Sequence, residues 1–381
     1  MTLKISSRGT VPPFIVMDVM RAANERAAQG ADVLHLEVGQ PGTPASRAAR
    51  EAAARALESD RIGYTDARGI ASLRARIARH YKDDYGVEID PRRIMVTPGS
   101  SGGFLLGFLA SFEVGDRVAL AAPGYPAYRN ILRTLGIEPV LLPCDARHRF
   151  QPTPALLDAV SGRLDGLIVA SPSNPTGTML GRAALIGLVE ACRARGTRLI
   201  SDEIYHGIVY GDRAVSALEL TGDAVVINSF SKYYSMTGWR LGWMVLPDDM
   251  VRPVECLGQN LFIAAPTLSQ IAGEAAFEAT AELDAYVATY ARNRAHLLEY
   301  LPKARFDRLA PADGAFYIYA DVAHLTNDSE EFCQRMLAET GVATTPGIDF
   351  DPERGRRFVR FSFAGPESAI AEATRRLEAW R

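Results

Sequence analysis

Residues 166–203 read GLIVASPSNPTGTMLGRAALIGLVEACRARGTRLISDE, and this stretch decides the fold class. It starts with an apolar run, GLIVAS, continues through a helical pattern that Gly196 ends, and closes with a second run, RLISDE, at 198–203. A helix between two apolar strands predicts a βαβ unit. Both runs are continuously apolar rather than alternating, which predicts parallel strands covered on both faces.

Further apolar runs on either side of this unit extend the same pattern. They are RIMVT (93–97), RVALAA (117–122), PVLLP (139–143), AVVINS (224–229) and LGWMVL (241–246). We therefore predict an α/β fold with a mostly parallel, seven-stranded-type sheet and helices on both faces, plus a smaller α+β domain. The predicted large domain covers 46–280, and the predicted small domain combines 1–45 with 281–381.

The composition excludes several classes of protein. The chain has 381 residues, 48% of them hydrophobic, and a net charge of −3, so no basic excess favours nucleic acid or an anionic membrane. Four scattered cysteines form no metal motif and fit a reducing compartment. The N-terminus does not resemble a signal peptide, and the apolar stretch 104–112 is too short to cross a bilayer. We expect a soluble cytoplasmic protein without a metal.

One lysine stands out in the segment SFSKYYSMTGWRLGW, residues 229–243. Cationic positions are filled almost entirely by arginine, and lysine occurs only as Lys4, Lys82, Lys232 and Lys303. Lysine, unlike arginine, readily loses its proton and forms a Schiff base with an aldehyde. Lys232 therefore indicates a covalent cofactor site, and the ordinary alternative is an exposed surface lysine.

Polar residues follow three of the predicted strands at the point where each strand ends. Asn174 follows GLIVAS, Asp202 follows RLIS, and Lys232 follows AVVINS. The sequence interval is 28 residues from Asn174 to Asp202 and 30 residues from Asp202 to Lys232. Each interval is about one βαβ unit. Ligands bind at the carboxyl ends of parallel strands, so we expect these three residues to face one crevice.

The segment TPGSSGG predicts a phosphate site before an apolar helix. Gly99, Ser100 and Ser101 would lie at the helix N-terminus, where exposed N–H groups and the helix dipole attract anions, although an ordinary turn has the same composition. Tyr125, in PGYPAY after another strand, would lie at the same edge. A lysine, a carboxylate, an amide, an aromatic ring and a phosphate site together match pyridoxal 5′-phosphate.

The motifs that carry these residues resemble those of the class I/II aminotransferases, a pyridoxal-phosphate-dependent family that includes the aspartate aminotransferases. GxP near the start, GYT, TPGSS, PGYPAY, SPSNPTG, SDEIY, SFSKxxSMTGWRLG and RFSFA occur in family order between residues 39 and 364. The resemblance implies transfer of an amino group between an L-amino acid and a 2-oxo acid, through an aldimine on Lys232 and pyridoxamine phosphate. It also implies a homodimer with composite active sites.

The resemblance implies a role for each matching residue. Lys232 would form the aldimine and move a proton, Asp202 would keep the pyridine nitrogen protonated, and Tyr125 would stack on the ring. Asn174 and Tyr205 would contact the ring oxygen. The implied phosphate ligands are Ser100, Ser101, Ser229, Ser231, Arg240 and, from the partner subunit, Tyr64. The implied substrate-binding residues are Gly39, Asn174 and Arg360, with Arg360 holding the α-carboxylate.

The chain departs from the family pattern where the substrate side chain is expected. Ser101 stands where some aspartate-specific members have lysine, and GQPGTPAS replaces the frequent EPDF. Pro13, Phe14, Ile15 and Val16 would line an apolar pocket. These departures favour neutral or aromatic amino acids over a strict aspartate preference.

The motifs identify the cofactor better than the reaction. A C–S β-lyase, a 1-aminocyclopropane-1-carboxylate synthase-like enzyme and a decarboxylase remain open alternatives on the same scaffold. A regulator that binds the cofactor without turnover is disfavoured, because family regulators carry an added DNA-binding domain and this chain starts almost directly on the aminotransferase segment.

Overall fold

The computed structural model describes residues 3–59 and 62–380. The α-helices in these residues are α1 (Ile15–Ala28), α2 (Arg47–Ser59), α3 (Ala71–Tyr85), α4 (Gly99–Ser111), α5 (Pro126–Thr134), α6 (Pro154–Asp158), α7 (Arg182–Arg195), α8 (Asp248–Leu261), α9 (Thr267–Ala276), α10 (Thr280–Tyr300), α11 (Ser329–Thr340) and α12 (Glu367–Ala379). The strands are β1 (Leu34–His35), β2 (Ile94–Thr97), β3 (Arg117–Ala122), β4 (Glu138–Pro143), β5 (Gly166–Ala170), β6 (Arg198–Asp202), β7 (Val225–Ser229), β8 (Gly242–Val245), β9 (Tyr317–Asp321), β10 (Val342–Ala343), β11 (Thr345–Pro346) and β12 (Phe358–Ser362).

The central sheet has seven strands in the order β2-β8-β7-β6-β5-β3-β4. Strand β8 runs antiparallel to both of its neighbours, and the pairings among β3 to β7 are parallel. Every apolar run that predicted a strand contributes one strand to this sheet. The predicted α/β fold with a mostly parallel sheet is confirmed.

The two faces of the sheet are both buried, as continuously apolar strands require. Leu167 and Val169 of β5 belong to a core that includes side chains of α3 and α7. Ile168, which points to the other face, packs in a core with side chains of α4, α5 and α8. Helix α7 ends where Gly196 adopts a left-handed conformation with φ 64° and donates its N–H to the last turn, as predicted for a glycine at this end.

A second group of strands joins the two ends of the chain. Strands β11, β12 and β9 form an antiparallel sheet, while β1 pairs in parallel with β10, so that Leu34 lies opposite Val342. This pairing brings the N-terminal segment to the C-terminal part of the chain. The boundaries at 45/46 and 280/281 stay predictions, and residues 1–2 and 381 of the predicted small domain lie outside the described residues.

Across residues 3–59 and 62–380, none of the helices combines the length and the apolar character needed to cross a membrane.

Candidate active site

Three neighbouring parallel strands end at one edge of the sheet, and the candidate residues lie there. Asp202 is the last residue of β6, and Ala170, the last residue of β5, lies opposite it. Asn174 follows β5, and Lys232 comes three residues after β7 ends at Ser229. The carboxyl ends of parallel strands are where open α/β sheets bind ligands.

The Lys232 amine is partly buried and faces several aromatic and charged groups. Its Nζ donates a hydrogen bond to the backbone oxygen of Gly39 at 2.6 Å and lies 5.6 Å from the centre of the Tyr205 ring. Burial lowers the pKa of Lys232 to about 8, and the positive charge of Arg360 adds to the effect while Asp202 opposes it. A neutral amine is therefore accessible near neutral pH, as nucleophilic or base chemistry requires.

Asp202 is a buried carboxylate with two hydrogen-bond donors. The Tyr128 hydroxyl donates to one oxygen, and the backbone N–H of Ile204 donates to the other at 3.1 Å. Burial raises the pKa of Asp202 to about 6, while the bond from Tyr128 lowers it. Tyr128 is a site residue that the sequence motifs did not predict. It lies in the PGYPAY motif three residues after Tyr125, the N-cap residue of α5, and the two ring centres are 5.3 Å apart.

Arg360 is a buried cation with a polar group still free. The residue is 2% exposed, and its guanidinium lies between the rings of Tyr317 and Phe350, 4.5 and 4.8 Å from their centres. Nη1 donates to Asn174 Oδ1 at 2.8 Å, and Nη2 donates to the backbone oxygen of Glu37 and, at 3.0 Å, to Thr345 Oγ1, whereas Nε has no partner within the described residues. A buried charge without a carboxylate partner is costly. The arrangement is suited to a ligand carboxylate.

Gly39 allows the backbone to approach this site closely. A Cβ at this position would lie 1.8 Å from Tyr317 Oη, so no other residue fits without rearrangement. The Tyr317 and Tyr205 hydroxyls are 2.7 Å apart and hydrogen-bonded. The motifs did not predict a role for Tyr317, which lies in the strand-like run AFYIYAD at 315–321.

The predicted phosphate residues lie around the start of α4. Gly99 has φ 72°, and a Cβ there would lie 2.6 Å from Arg240 Nη2, so the guanidinium is against the helix N-terminus. The Ser229 and Ser231 hydroxyls are hydrogen-bonded at 2.9 Å. The helix begins at Gly99, which puts Ser100 and Ser101 in its first turn. A guanidinium beside free helix N–H groups is an anion site.

The two remaining candidates differ in their surroundings. The partly buried Tyr125 ring lies edge-on to Tyr128 and to Phe14, with ring centres 5.3 and 5.7 Å apart. Tyr64 is 86% exposed, and none of its hydrogen bonds within the described chain joins it to the other candidates. The structure thus brings the predicted residues together around Lys232 and Arg240, with Tyr64 standing apart.

This arrangement fits a small aldehyde that carries a phosphate. The fit rests on an anion site at α4, an amine of lowered pKa at Lys232, a buried carboxylate at Asp202 and an unpaired guanidinium N–H at Arg360. The missing Cβ at Gly39 and Gly99 lets Tyr317 Oη and the Arg240 guanidinium approach the backbone closely.

Comparison with known proteins gives a consistent family. Residues 31–377 match the family Aminotransferase class I and II. A valine–pyruvate aminotransferase of Mycobacterium tuberculosis is 52% identical over 384 residues, which cover 100% of this chain and 99% of that protein.

Solved structures of aminotransferases share the whole fold. A crystal structure of an aminotransferase from Mycobacterium tuberculosis superposes with a TM-score of 0.98 at 52% identity, covering 100% of this chain and 99% of the other. A putative aminotransferase from Silicibacter pomeroyi gives a TM-score of 0.94 at 56% identity and covers 99% of both chains.

Proposed function

The chain belongs to the family of class I and II aminotransferases, and we propose that it works with pyridoxal 5′-phosphate held on Lys232. The enzyme is a transaminase that moves an amino group between an amino acid and a 2-oxo acid. The observation that supports the proposal most directly is the Lys232 amine, whose pKa is lowered to about 8 beside the buried carboxylate of Asp202.

The residues at the strand ends would hold the cofactor by its separate groups. Arg240 and the first turn of α4, with Ser100 and Ser101, would bind the phosphate, together with the hydrogen-bonded hydroxyls of Ser229 and Ser231. When bound, pyridoxal phosphate supplies an electron sink for the charge that develops at the substrate Cα.

Four further residues complete the proposed cofactor site: Asp202, Tyr125, Asn174 and Tyr205. Asp202 would accept a hydrogen bond from the protonated ring nitrogen, with Tyr128 and the Ile204 N–H holding the carboxylate in place. Tyr125 would cover one face of the ring. Asn174 and Tyr205 would hydrogen-bond the ring oxygen.

Arg360 and Lys232 would act on the substrate itself. The Arg360 guanidinium would bind the α-carboxylate in a two-point contact, which fixes the substrate Cα with respect to Lys232. Lys232 Nζ would then take the proton from Cα. The lowered pKa makes the amine a base that can be neutral at physiological pH. The backbone of Gly39 would also approach the α-carboxylate of the substrate.

We assign an uncharged amino acid as the donor and pyruvate as a fitting acceptor. The relative at 52% identity is named for valine and pyruvate. The Phe14 ring lies edge-on to Tyr125, with ring centres 5.7 Å apart, and offers apolar surface. Arg360 would bind the α-carboxylate of the substrate. Ser101 carries no positive charge that could bind a second carboxylate on the substrate's side chain.

The proposed assembly is a homodimer in the cytoplasm. Tyr64 is highly exposed, as expected of a side chain that reaches the phosphate site of a partner subunit. The cysteines are free, and three of them are buried, which suits a reducing compartment. We also propose that the chain has two domains, a large one at 46–280 and a small one that combines 1–45 with 281–381.

A single half-reaction tests the function. The purified protein is loaded with pyridoxal phosphate and mixed with valine in the absence of any 2-oxo acid, and products are followed by mass spectrometry. We expect about one equivalent of 3-methyl-2-oxobutanoate per site, then alanine on addition of pyruvate. Continuous release of ammonia and a 2-oxo acid, most tellingly from cystathionine, would instead support the lyase alternative.

A further inference from the structure

Asp349 caps a helix from the opposite end of the chain. Its carboxylate oxygens accept hydrogen bonds from the backbone N–H groups of Ile15 at 3.3 Å and Val16 at 3.2 Å, across 334 and 333 residues of sequence. These two residues open helix α1. Asp349 itself is 1% exposed and lies in a short 3-10 turn after β11.

Helix α1 has no cap of its own. Phe14 occupies the N-cap position, and its side chain makes no capping hydrogen bond. Helix N-terminal N–H groups need an acceptor, and a carboxylate there also interacts favourably with the helix dipole. The start of α1 therefore depends on Asp349 for its position.

The same segment contacts the active site on two other sides. The backbone oxygen of Asp349 accepts a hydrogen bond from Arg129 of α5 at 2.6 Å, and the oxygen of Phe350 accepts one from the Gly124 N–H at 3.1 Å. The Phe350 ring covers the Arg360 guanidinium. Residues 349–350 thus link α1, the turn before α5 that carries Tyr125, and the proposed carboxylate site.

The contact between residues 349–350 and the start of α1 also positions the Phe14 ring against the edge of Tyr125. The two ring centres are 5.7 Å apart at an interplanar angle of 77°, an edge-to-face geometry. Phe14 directly precedes the two residues that Asp349 binds. Because the Asp349 carboxylate accepts its hydrogen bonds from the first two residues of α1, a change in the cap acts on the adjacent Phe14 through the start of this helix.

We propose that Asp349 is a positioning residue for substrate selection, which fixes the start of α1 so that Phe14 forms a wall for the substrate's side chain. The inference rests on the proposed function, because a wall matters only if an amino acid binds with its carboxylate at Arg360. Larger apolar side chains reach this wall, whereas the methyl group of alanine has little surface to contribute.

The test compares Asp349→Asn with a matched control, Asp351→Asn. Asp351 is 3% exposed in the same segment, and it accepts N–H groups of residues 353 and 354 rather than of α1. Asparagine keeps the shape of Asp349 but replaces one acceptor with a donor. Amide hydrogen exchange of residues 15–28 and KM and kcat for phenylalanine, valine and alanine are measured on the full-length enzyme.

In Asp349→Asn, exchange in the first turn of α1 should be about 2- to 30-fold faster, as loss of a helix cap predicts. KM for phenylalanine and valine should rise about 3- to 10-fold, while kcat and the KM for alanine change by less than about 2-fold. The Asp351→Asn control should leave exchange in α1 unchanged. Unchanged exchange in Asp349→Asn, or an equal rise of KM for all three donors, would overturn the inference.

A rescue separates capping from other effects. Phe14→Ser places a capping hydroxyl at the N-cap of α1, so Asp349→Asn with Phe14→Ser should recover slow exchange and still show a high KM for phenylalanine. If Asp349→Asn alone does not fold, this double variant should. Its failure to fold would overturn the positioning role. Lack of amino transfer by the unmodified enzyme would count against the proposed function alone, because the exchange result does not depend on turnover.

Discussion

Replacing Tyr128 with phenylalanine should destabilise the cofactor-free protein in a pH-dependent way. The substitution removes the hydroxyl that donates to Asp202 and keeps the buried ring. Asp202 would retain the N–H of Ile204 as a donor. The carboxylate would then be less well stabilised in its ionised form, so its pKa should rise.

The size of the effect follows from the hydrogen bond that is lost. A bond to a charged group contributes about 1.5–3 kcal/mol, which corresponds to about 1–2 pH units. Burial already raises the pKa of Asp202 from 3.8 to about 6 in the folded protein. The pKa in Tyr128→Phe should therefore be about 7–8.

The sign of the pH dependence follows from proton uptake. Between 3.8 and about 6 the folded state of the wild type holds more protons at Asp202 than the unfolded chain, so stability falls as pH rises through this window. In Tyr128→Phe the fall continues to about pH 7–8. Relative to wild type, the free energy of unfolding of the variant should therefore be lower by about 1.5–2.5 kcal/mol more at pH 8 than at pH 5.

Urea unfolding at pH 5, 6, 7 and 8 measures this difference. Tyr81→Phe is the matched control, because Tyr81 is fully buried and its hydroxyl accepts a hydrogen bond from Trp243 Nε1 at 3.1 Å, away from Asp202. The loss of unfolding free energy caused by Tyr81→Phe should be the same at every pH. An equal cost of Tyr128→Phe at pH 5 and pH 8 would refute the coupling between Tyr128 and the Asp202 carboxylate.

Three further variants or conditions probe the rest of the site. Arg360→Lys should raise KM for the amino donor about 100-fold, since an ammonium cannot make the two-point contact to a carboxylate, and a KM within about 2-fold of wild type would contradict that role. The rate at which the cofactor-free protein takes up pyridoxal phosphate should rise about tenfold from pH 7 to pH 9 and level off, because the pKa of Lys232 is lowered to about 8. A rate that still climbs steeply at pH 10 would indicate an ordinary lysine. Gly39→Ala should lower the free energy of unfolding by about 1–3 kcal/mol in urea titrations, because the new Cβ meets the Tyr317 hydroxyl, and an unchanged stability would argue against that close approach.

The sequence predicted the sheet because its strands are short, continuously apolar and separated by helices. The direction of a strand in the sheet is harder to predict, because the apolar run that forms β8 does not differ in composition from the parallel strands although β8 is antiparallel. The pairing of Leu34 with Val342 was also beyond the pattern, because β1 is two residues long and its partner lies at the other end of the chain. Local periodicity does not encode contacts of this range.

The candidate site was predicted where chemistry and strand ends coincide. Asn174, Asp202 and Lys232 each follow a strand, and spacing placed them at one edge. Tyr128 escaped notice because a tyrosine in an amphipathic helix usually packs in the core. Asp349 gave even less signal, since its partners at the start of α1 are more than 330 residues away.

The most direct test of the central claim is to locate the lysine that binds the cofactor. The protein is incubated with pyridoxal phosphate, reduced with borohydride, digested and analysed by mass spectrometry. We expect a pyridoxyl-phosphate adduct at near full occupancy on Lys232, whereas the exposed Lys4, Lys82 and Lys303 serve as internal controls with little label. An adduct on one of those lysines instead, or no adduct at all, would contradict the proposal that this enzyme works through Lys232.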